Sequence, residues 1–178
     1  TTSTRAFTLR ADGRLAPAFA RRHRQHRPAP GRVEQDPEEL LSDLRAALDV
    51  APADTVAVGL DNQGESCLGW DAGTGEPVSP VLVWQDGRTE DACARLRATG
   101  AEALTLERAG LPLDPYFSAS KLAWILARVP RAADLARRGR LRLGTTDAFF
   151  RDRLTGRFET DATTASRTSL MDLRRLDW

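Results

Sequence analysis

The chain has 178 residues, 41% hydrophobic and 29% charged, with a formal net charge of +1. These values suit one soluble globular domain. They exclude a disordered tail, a collagen-like repeat and a small disulfide scaffold. They also give no global pull toward nucleic acid or anionic membrane.

Residues 4–9 alternate around Phe7 and Leu9 and predict a strand. Asp12-Gly13 predicts a turn, and residues 15–20 predict a second strand that closes a hairpin. A basic stretch with His23 and His26 follows, then a breaker, Pro28-Ala29-Pro30-Gly31. Asp36 as N-cap, Pro37 at the first helical position and Glu38 and Glu39 after it predict a helix start. Leu40, Leu41, Leu44 and Leu48 share one face of that helix.

Residues 55–60 form a continuous apolar run, read as a buried central strand. Residues 66–70 and 78–83 predict two further strands, separated by a turn over 71–77. Helices are predicted over 90–98, 101–109 and 118–129, with a Pro-rich loop, 110–116, between the last two. Residues 140–143 predict a short strand. A helix capped by Thr146 or Asp147 then runs to Leu154 and stops at Thr155-Gly156. Strands alternating with helices predict an α/β layer fold in one domain, a mixed β-sheet flanked by helices.

Two predicted strands run into dense polar clusters, and ligands of α/β sheets collect beyond strand ends. Residues 61–65 bring carboxylates and amides; residues 84–88 bring an aromatic face with Asp86 and Arg88. An aromatic beside carboxylates suits a polyol or sugar, whose C–H face packs while its hydroxyls bond. Solvated loops with caps and turns are the competing reading. Thr1-Thr2-Ser3-Thr4-Arg5 joins hydroxyls, backbone N–H groups and a guanidinium, a set that a phosphate-holding turn uses. A frayed terminus is its competing reading.

Other chemistries are disfavoured. No GxxxxGK occurs, and Gly73-Thr74-Gly75 leads into Glu76-Pro77 rather than a helix, so neither phosphate fingerprint fits. His23 and His26 are crowded by arginines, which suits neither zinc nor, without aromatics, nucleic acid. They read as part of a charged edge strand. The stretch 64–69 narrowly misses a GxSxG elbow, and no histidine follows it. Cys67 and Cys93 read as buried small residues and point to a reducing cytoplasm; Trp124 reads as helix core. No apolar run approaches the ~20 residues of a membrane span. The chain opens without Met and closes on Arg174-Arg175-Leu176-Asp177-Trp178, so both ends read as cut.

With these residues the chain resembles the FGGY family of carbohydrate kinases, and within it the glycerol kinase pattern. The matching stretches are residues 1–5, 31–37, 59–65, 83–89, 110–118, 144–147 and 165–168, in the family's order. The resemblance implies a ribonuclease-H-like, actin-like ATPase domain, residues 1–178 being the N-terminal domain without its first strand and without the C-terminal domain. It implies ATP-dependent phosphorylation of a hydroxyl, with ATP and Mg2+ as cofactors and a small-molecule polyol or sugar as partner. Copies of the same chain are a further expected partner; nucleic acid and membrane are not. Thr1, Thr2, Ser3 and Arg5 would lie near the nucleotide phosphates; Gly64, Glu65, Trp84 and Tyr116 would line the substrate pocket. No catalytic base and no metal ligand is expected within the chain, so the isolated chain should be inactive. Glycerol kinases carry arginine where this chain has Gly64, which predicts a substrate larger than glycerol. A non-catalytic sugar-binding protein and an actin-like nucleotide-binding domain are the alternatives.

Overall fold

A computed structural model describes residues 2–178. The expected hairpin forms from β1 (Ser3–Leu9) and β2 (Leu15–Arg22), antiparallel and joined through Gly13 at φ 80°. It packs on α1 (Pro37–Asp49). That helix starts as its sequence dictates: the Asp36 carboxylate accepts the backbone N–H of Glu38 at 2.8 Å and of Glu39 at 3.3 Å. Arg21 of β2 ties the hairpin to α1 through Asp43 at 2.8 Å, and His23 pairs with Thr4 Oγ1 at 2.6 Å.

The main sheet runs in the order β3 (Glu34–Gln35), β5 (Val81–Leu82), β4 (Cys67–Asp71), β6 (Leu141–Thr145). β4 is its axis and is buried throughout. Side chains alternate across a strand, so Leu68 and Trp70 meet α1 and α6 (Thr146–Thr155) through Leu41, Phe149 and Phe150. Cys67 faces the other way, into α4 (Ser118–Arg128) and α5 (Pro130–Arg137) through Leu122, Ile125 and Ala132. Gly69 permits this approach: a Cβ there would sit 3.2 Å from Ile125 Cγ2. Trp70 Nε1 donates to Asp152 Oδ2 at 2.7 Å, which satisfies the one polar atom of that buried ring. Both cysteines are free and buried, and burial pushes the Cys67 thiol up to about 12. Two further helices, α2 (Glu90–Ala98) and α3 (Glu102–Arg108), lead into the loop before α4, and a short α7 (Ala162–Ala165) follows α6.

The α/β class and the flanking helices agree with expectation, but several details differ. Residues 55–60 form no strand, and Val56, Val58 and Leu60 are exposed by 101%, 63% and 50%. A strand requires a hydrogen-bonding neighbour, and no described segment pairs with this run. All strand pairs among the described residues are therefore antiparallel rather than mixed. Thr145, not Thr146 or Asp147, takes the N-cap position of α6. An additional helix, α5, stands between the predicted helix over 118–129 and β6; Pro130 opens it, because the N–H that proline lacks is unpaired in a first turn anyway. His23 and His26 lie just past β2 rather than within an edge strand, and His26 bridges to Glu34.

Candidate functional site

Cys67 stands opposite Leu82 in the antiparallel β4–β5 pair. That register brings the residues before β4 and those after β5 to one end of the sheet. The loop before α4 and the turn after α7 are pinned to the same end. Ser66 Oγ accepts the backbone N–H of Trp84 at 3.1 Å, Ser118 Oγ donates to the Glu65 carbonyl at 3.1 Å, and Ala119 N–H donates to the Thr168 carbonyl at 2.8 Å.

Three of the expected substrate residues meet here, around Gly64. Glu65 is buried, and its Oε1 accepts from Arg167 Nε at 2.7 Å. Trp84 and Tyr116 lie with ring centroids 5.3 Å apart. The Arg167 guanidinium lies 5.8 Å from the Tyr116 ring centroid and 5.1 Å from that of Phe117. A Cβ at Gly64 would sit 3.8 Å from Arg167 Cγ. The hydrogen bond to Glu65 raises the Arg167 pKa from an already high value, so the guanidinium is charged at any working pH.

The neighbouring polar residues hold the loops. Asn62 Nδ2 donates to Thr146 Oγ1 at 3.0 Å and to Asp147 Oδ1 at 3.2 Å; Gln63 Nε2 donates to Gln35 at 2.7 Å. Asp86 and Arg88 were candidate ligand groups, but they bind each other. Asp86 Oδ1 accepts from Arg88 Nε at 2.7 Å, Asp86 Oδ2 accepts the backbone N–H of Val33 at 2.7 Å, and Arg88 reaches Glu34 at 2.6 Å. Burial alone would raise the Asp86 pKa, but the hydrogen bonds from Arg88 and Val33 outweigh it and hold the carboxyl below its ordinary value.

Lys121 is the only lysine of the chain, and its task is structural. It is fully buried, and its Nζ donates to the carbonyls of Pro115, Tyr116 and Phe117 at 2.7, 2.7 and 3.0 Å. Three acceptors use all three ammonium hydrogens and fix the turn that presents Tyr116. Arg167 and Lys121 are two residues of this region to which the sequence assigned no site role, although Arg167 lies in the family-matching stretch 165–168. The signal for Lys121 was its rarity among 25 arginines.

The expected phosphate residues lie elsewhere. Thr1 falls outside the described residues. Thr2, Ser3 and Arg5 belong to the extended start of the hairpin rather than to a turn, since Ser3 already pairs with Arg22. Alternation puts Ser3 and Arg5 on one face, where Arg5 Nε donates to Ser3 Oγ at 3.2 Å, while Thr4 turns to His23. Arg5 is exposed. A concavity of about 620 Å3 beside the candidate site is lined by residues 27–33 and Gln85 and includes none of the expected residues.

The chain matches the N-terminal domain of the FGGY carbohydrate kinases over residues 1–178. It belongs to that family. It is 46% identical over 187 aligned residues to glycerol kinase 1 of Pseudomonas aeruginosa and 49% identical to glycerol kinase of Methylobacterium nodulans. Both alignments cover all of this chain but only 38% and 37% of those proteins. The crystal structure of Plasmodium falciparum glycerol kinase with ADP superposes with a TM-score of 0.87 at 28% identity, covering 99% of this chain and 37% of that one. A ligand-bound xylulose kinase from Lactobacillus acidophilus superposes equally well, TM-score 0.87, at 18% identity over 100% of this chain and 36% of that one, a likeness of fold. The FGGY domain described here thus has the actin-like architecture of these kinases.

Proposed function

We propose that the polypeptide carrying this domain phosphorylates a hydroxyl of a small polyol or sugar at the expense of ATP. The observation that carries this reading is the convergence of Glu65, Trp84 and Tyr116 beside Gly64, in a domain of the FGGY family. An aromatic pair offers apolar faces to substrate C–H groups, and Glu65 accepts from its hydroxyls. Similarity to glycerol kinases over the whole chain favours a kinase over a non-catalytic or purely nucleotide-binding protein.

The expectation of a substrate larger than glycerol rested on empty space beside Gly64. That space is bordered by the Arg167 stem, so a compact triol remains a fitting substrate. Thr2 offers an exposed hydroxyl, Ser3 a half-buried one and Arg5 an exposed guanidinium, a set that suits nucleotide phosphates. Mg2+ would arrive with the nucleotide and neutralise charge on the transferred group. Arg5 and the hydroxyls would orient the phosphates, while Glu65 would hold the accepting polyol. The residues described here form one wall of such a site, so the domain alone is expected to be without turnover. No described helix is long and apolar enough to cross a membrane, and two free buried cysteines support a reducing compartment such as the cytoplasm.

A coupled ATP-consumption assay on the complete polypeptide tests this, with glycerol, four- and five-carbon polyols and ketoses as acceptors. Acceptor-dependent turnover is expected. ATP consumption independent of every acceptor would overturn the kinase reading.

A further inference from the structure

Gly64 has no side chain, yet the cluster around it contains a guanidinium. The Arg167 stem passes along Gly64, with Cγ and Cβ 3.8 and 3.9 Å from where a residue-64 Cβ would stand. Its Nε is committed to Glu65 Oε1 at 2.7 Å, and its head lies beside Tyr116. That bond uses neither Nη group nor the second carboxylate oxygen, Oε2; the guanidinium also hydrogen-bonds Tyr116, which leaves at least three of the four Nη hydrogens for a ligand. Arg167 is also 41% exposed at its side chain, while Glu65 is 11% exposed. The guanidinium therefore sits at the mouth of the cluster and the carboxylate at its floor.

This pairing is an alternating set of donors and acceptors beside an aromatic face. A vicinal diol has the complementary pattern, because each hydroxyl both accepts and donates. One hydroxyl would accept from an Arg167 Nη group and donate to Glu65; its neighbour would accept from the other Nη. The planar fork fixes the angle between the two contacts, which a point charge such as lysine cannot. Trp84 and Tyr116 would take the C–H face. We propose that Arg167 is a substrate-contacting, specificity-determining residue of this domain, orienting adjacent hydroxyls of the acceptor from the position that Gly64 leaves open. The proposal rests on the polyol-kinase reading and adds to it a residue, a ligand pattern and a preference for vicinal hydroxyls.

A merely structural Arg167, one that only neutralises Glu65, makes different predictions. The test uses the complete polypeptide, its best polyol acceptor, and the analogues of that acceptor that each lack one hydroxyl. Wild type, Arg167→Lys and Arg167→Ala are compared by steady-state kinetics, by calorimetric polyol binding and by thermal melting. Wild type should discriminate against one deoxy analogue by roughly tenfold or more. Arg167→Ala should raise the polyol KM by about ten- to a hundredfold, leave the ATP KM within about twofold, and lose that discrimination. Arg167→Lys keeps the charge beside Glu65 and should regain only part of it. Should Arg167→Ala fail to fold, Arg167→Lys decides. Full discrimination by Arg167→Lys, or unchanged discrimination in a folded Arg167→Ala, overturns the role while leaving the kinase reading intact. A wild type with neither turnover nor polyol binding overturns the kinase reading and this role together.

Discussion

Replacing Lys121 by methionine removes one charge and keeps nearly the same length, which isolates what the ammonium does. In the folded domain Nζ donates to three carbonyls within 3.0 Å, and the side chain is wholly buried. Burial lowers its pKa, opposed by the negative charge of Asp86, Glu65 and Asp114. Two effects of Lys121→Met compete. Each buried carbonyl left without a donor costs about 1–3 kcal/mol; those of Pro115 and Phe117 are buried and that of Tyr116 partly so, for a sum of up to about 6–9 kcal/mol. Removing a buried charge returns several kcal/mol of desolvation penalty. The carbonyl loss wins, because three consecutive peptide groups cannot all turn to water without abandoning the turn. A net destabilisation of about 3 kcal/mol is expected, or a fall in Tm of roughly 6–12 °C at ~2–4 °C per kcal/mol for a domain of this size. Tyr116 sits within the tethered turn, so the polyol KM should rise while the ATP KM holds. Lys121→Arg should not rescue either value, since a planar fork is larger than the closed site and cannot point at three carbonyls from one atom. Differential scanning calorimetry and polyol titration read both effects. A Tm within about 2 °C of wild type together with an unchanged polyol KM would refute the argument.

Asp86 is held below its ordinary pKa of 3.8 in the fold, so it contributes stability that is complete above that value and is lost as pH falls through the lower, folded one. Asp86→Asn should lower the urea midpoint at pH 7 and flatten its decline below pH 4; an equally steep acid decline in the variant would assign the effect to other carboxylates. Arg5→Ala should weaken ATP handling in the complete polypeptide by roughly ten- to a hundredfold, from ~1.5–3 kcal/mol for a hydrogen bond to a charged group. An unchanged ATP KM and kcat would make Arg5 a surface residue of the hairpin.

Local signals in the sequence were reliable where the cause of the structure is local. Asp36-Pro37 starts α1 because the carboxylate and the ring act within one turn. Gly156 ends α6 at φ 75°, a conformation that glycine adopts without a Cβ penalty. The run at 55–60 misled because strand formation depends on a partner, which hydrophobicity alone does not supply. Of the candidate site, Glu65 and Trp84 were legible as an acidic and aromatic set, and Tyr116 only as part of a family motif. Arg167 lies in the family-matching stretch 165–168, but that match carried no role for it; it is 102 residues from Glu65, and only the fold brings the two together. Asp86 and Arg88 had the composition of a ligand site but are consumed by each other, a distinction that side-chain geometry alone makes.

The loop before β4 shows why composition could not separate holding residues from presenting ones. Asn62, Gln63 and Glu65 are all polar and adjacent, yet two are fastened to neighbouring elements and one faces the cluster. Gly64 stands between them without a left-handed φ, so its backbone does not demand glycine. The Arg167 stem runs along it on its way to Glu65. A Cβ alone would meet that stem at ordinary contact distance, but a longer side chain pointing the same way would compete with the guanidinium for the carboxylate. Residues 64 and 167 are therefore neighbours in space, and a substitution at the first is expected to be felt through the second.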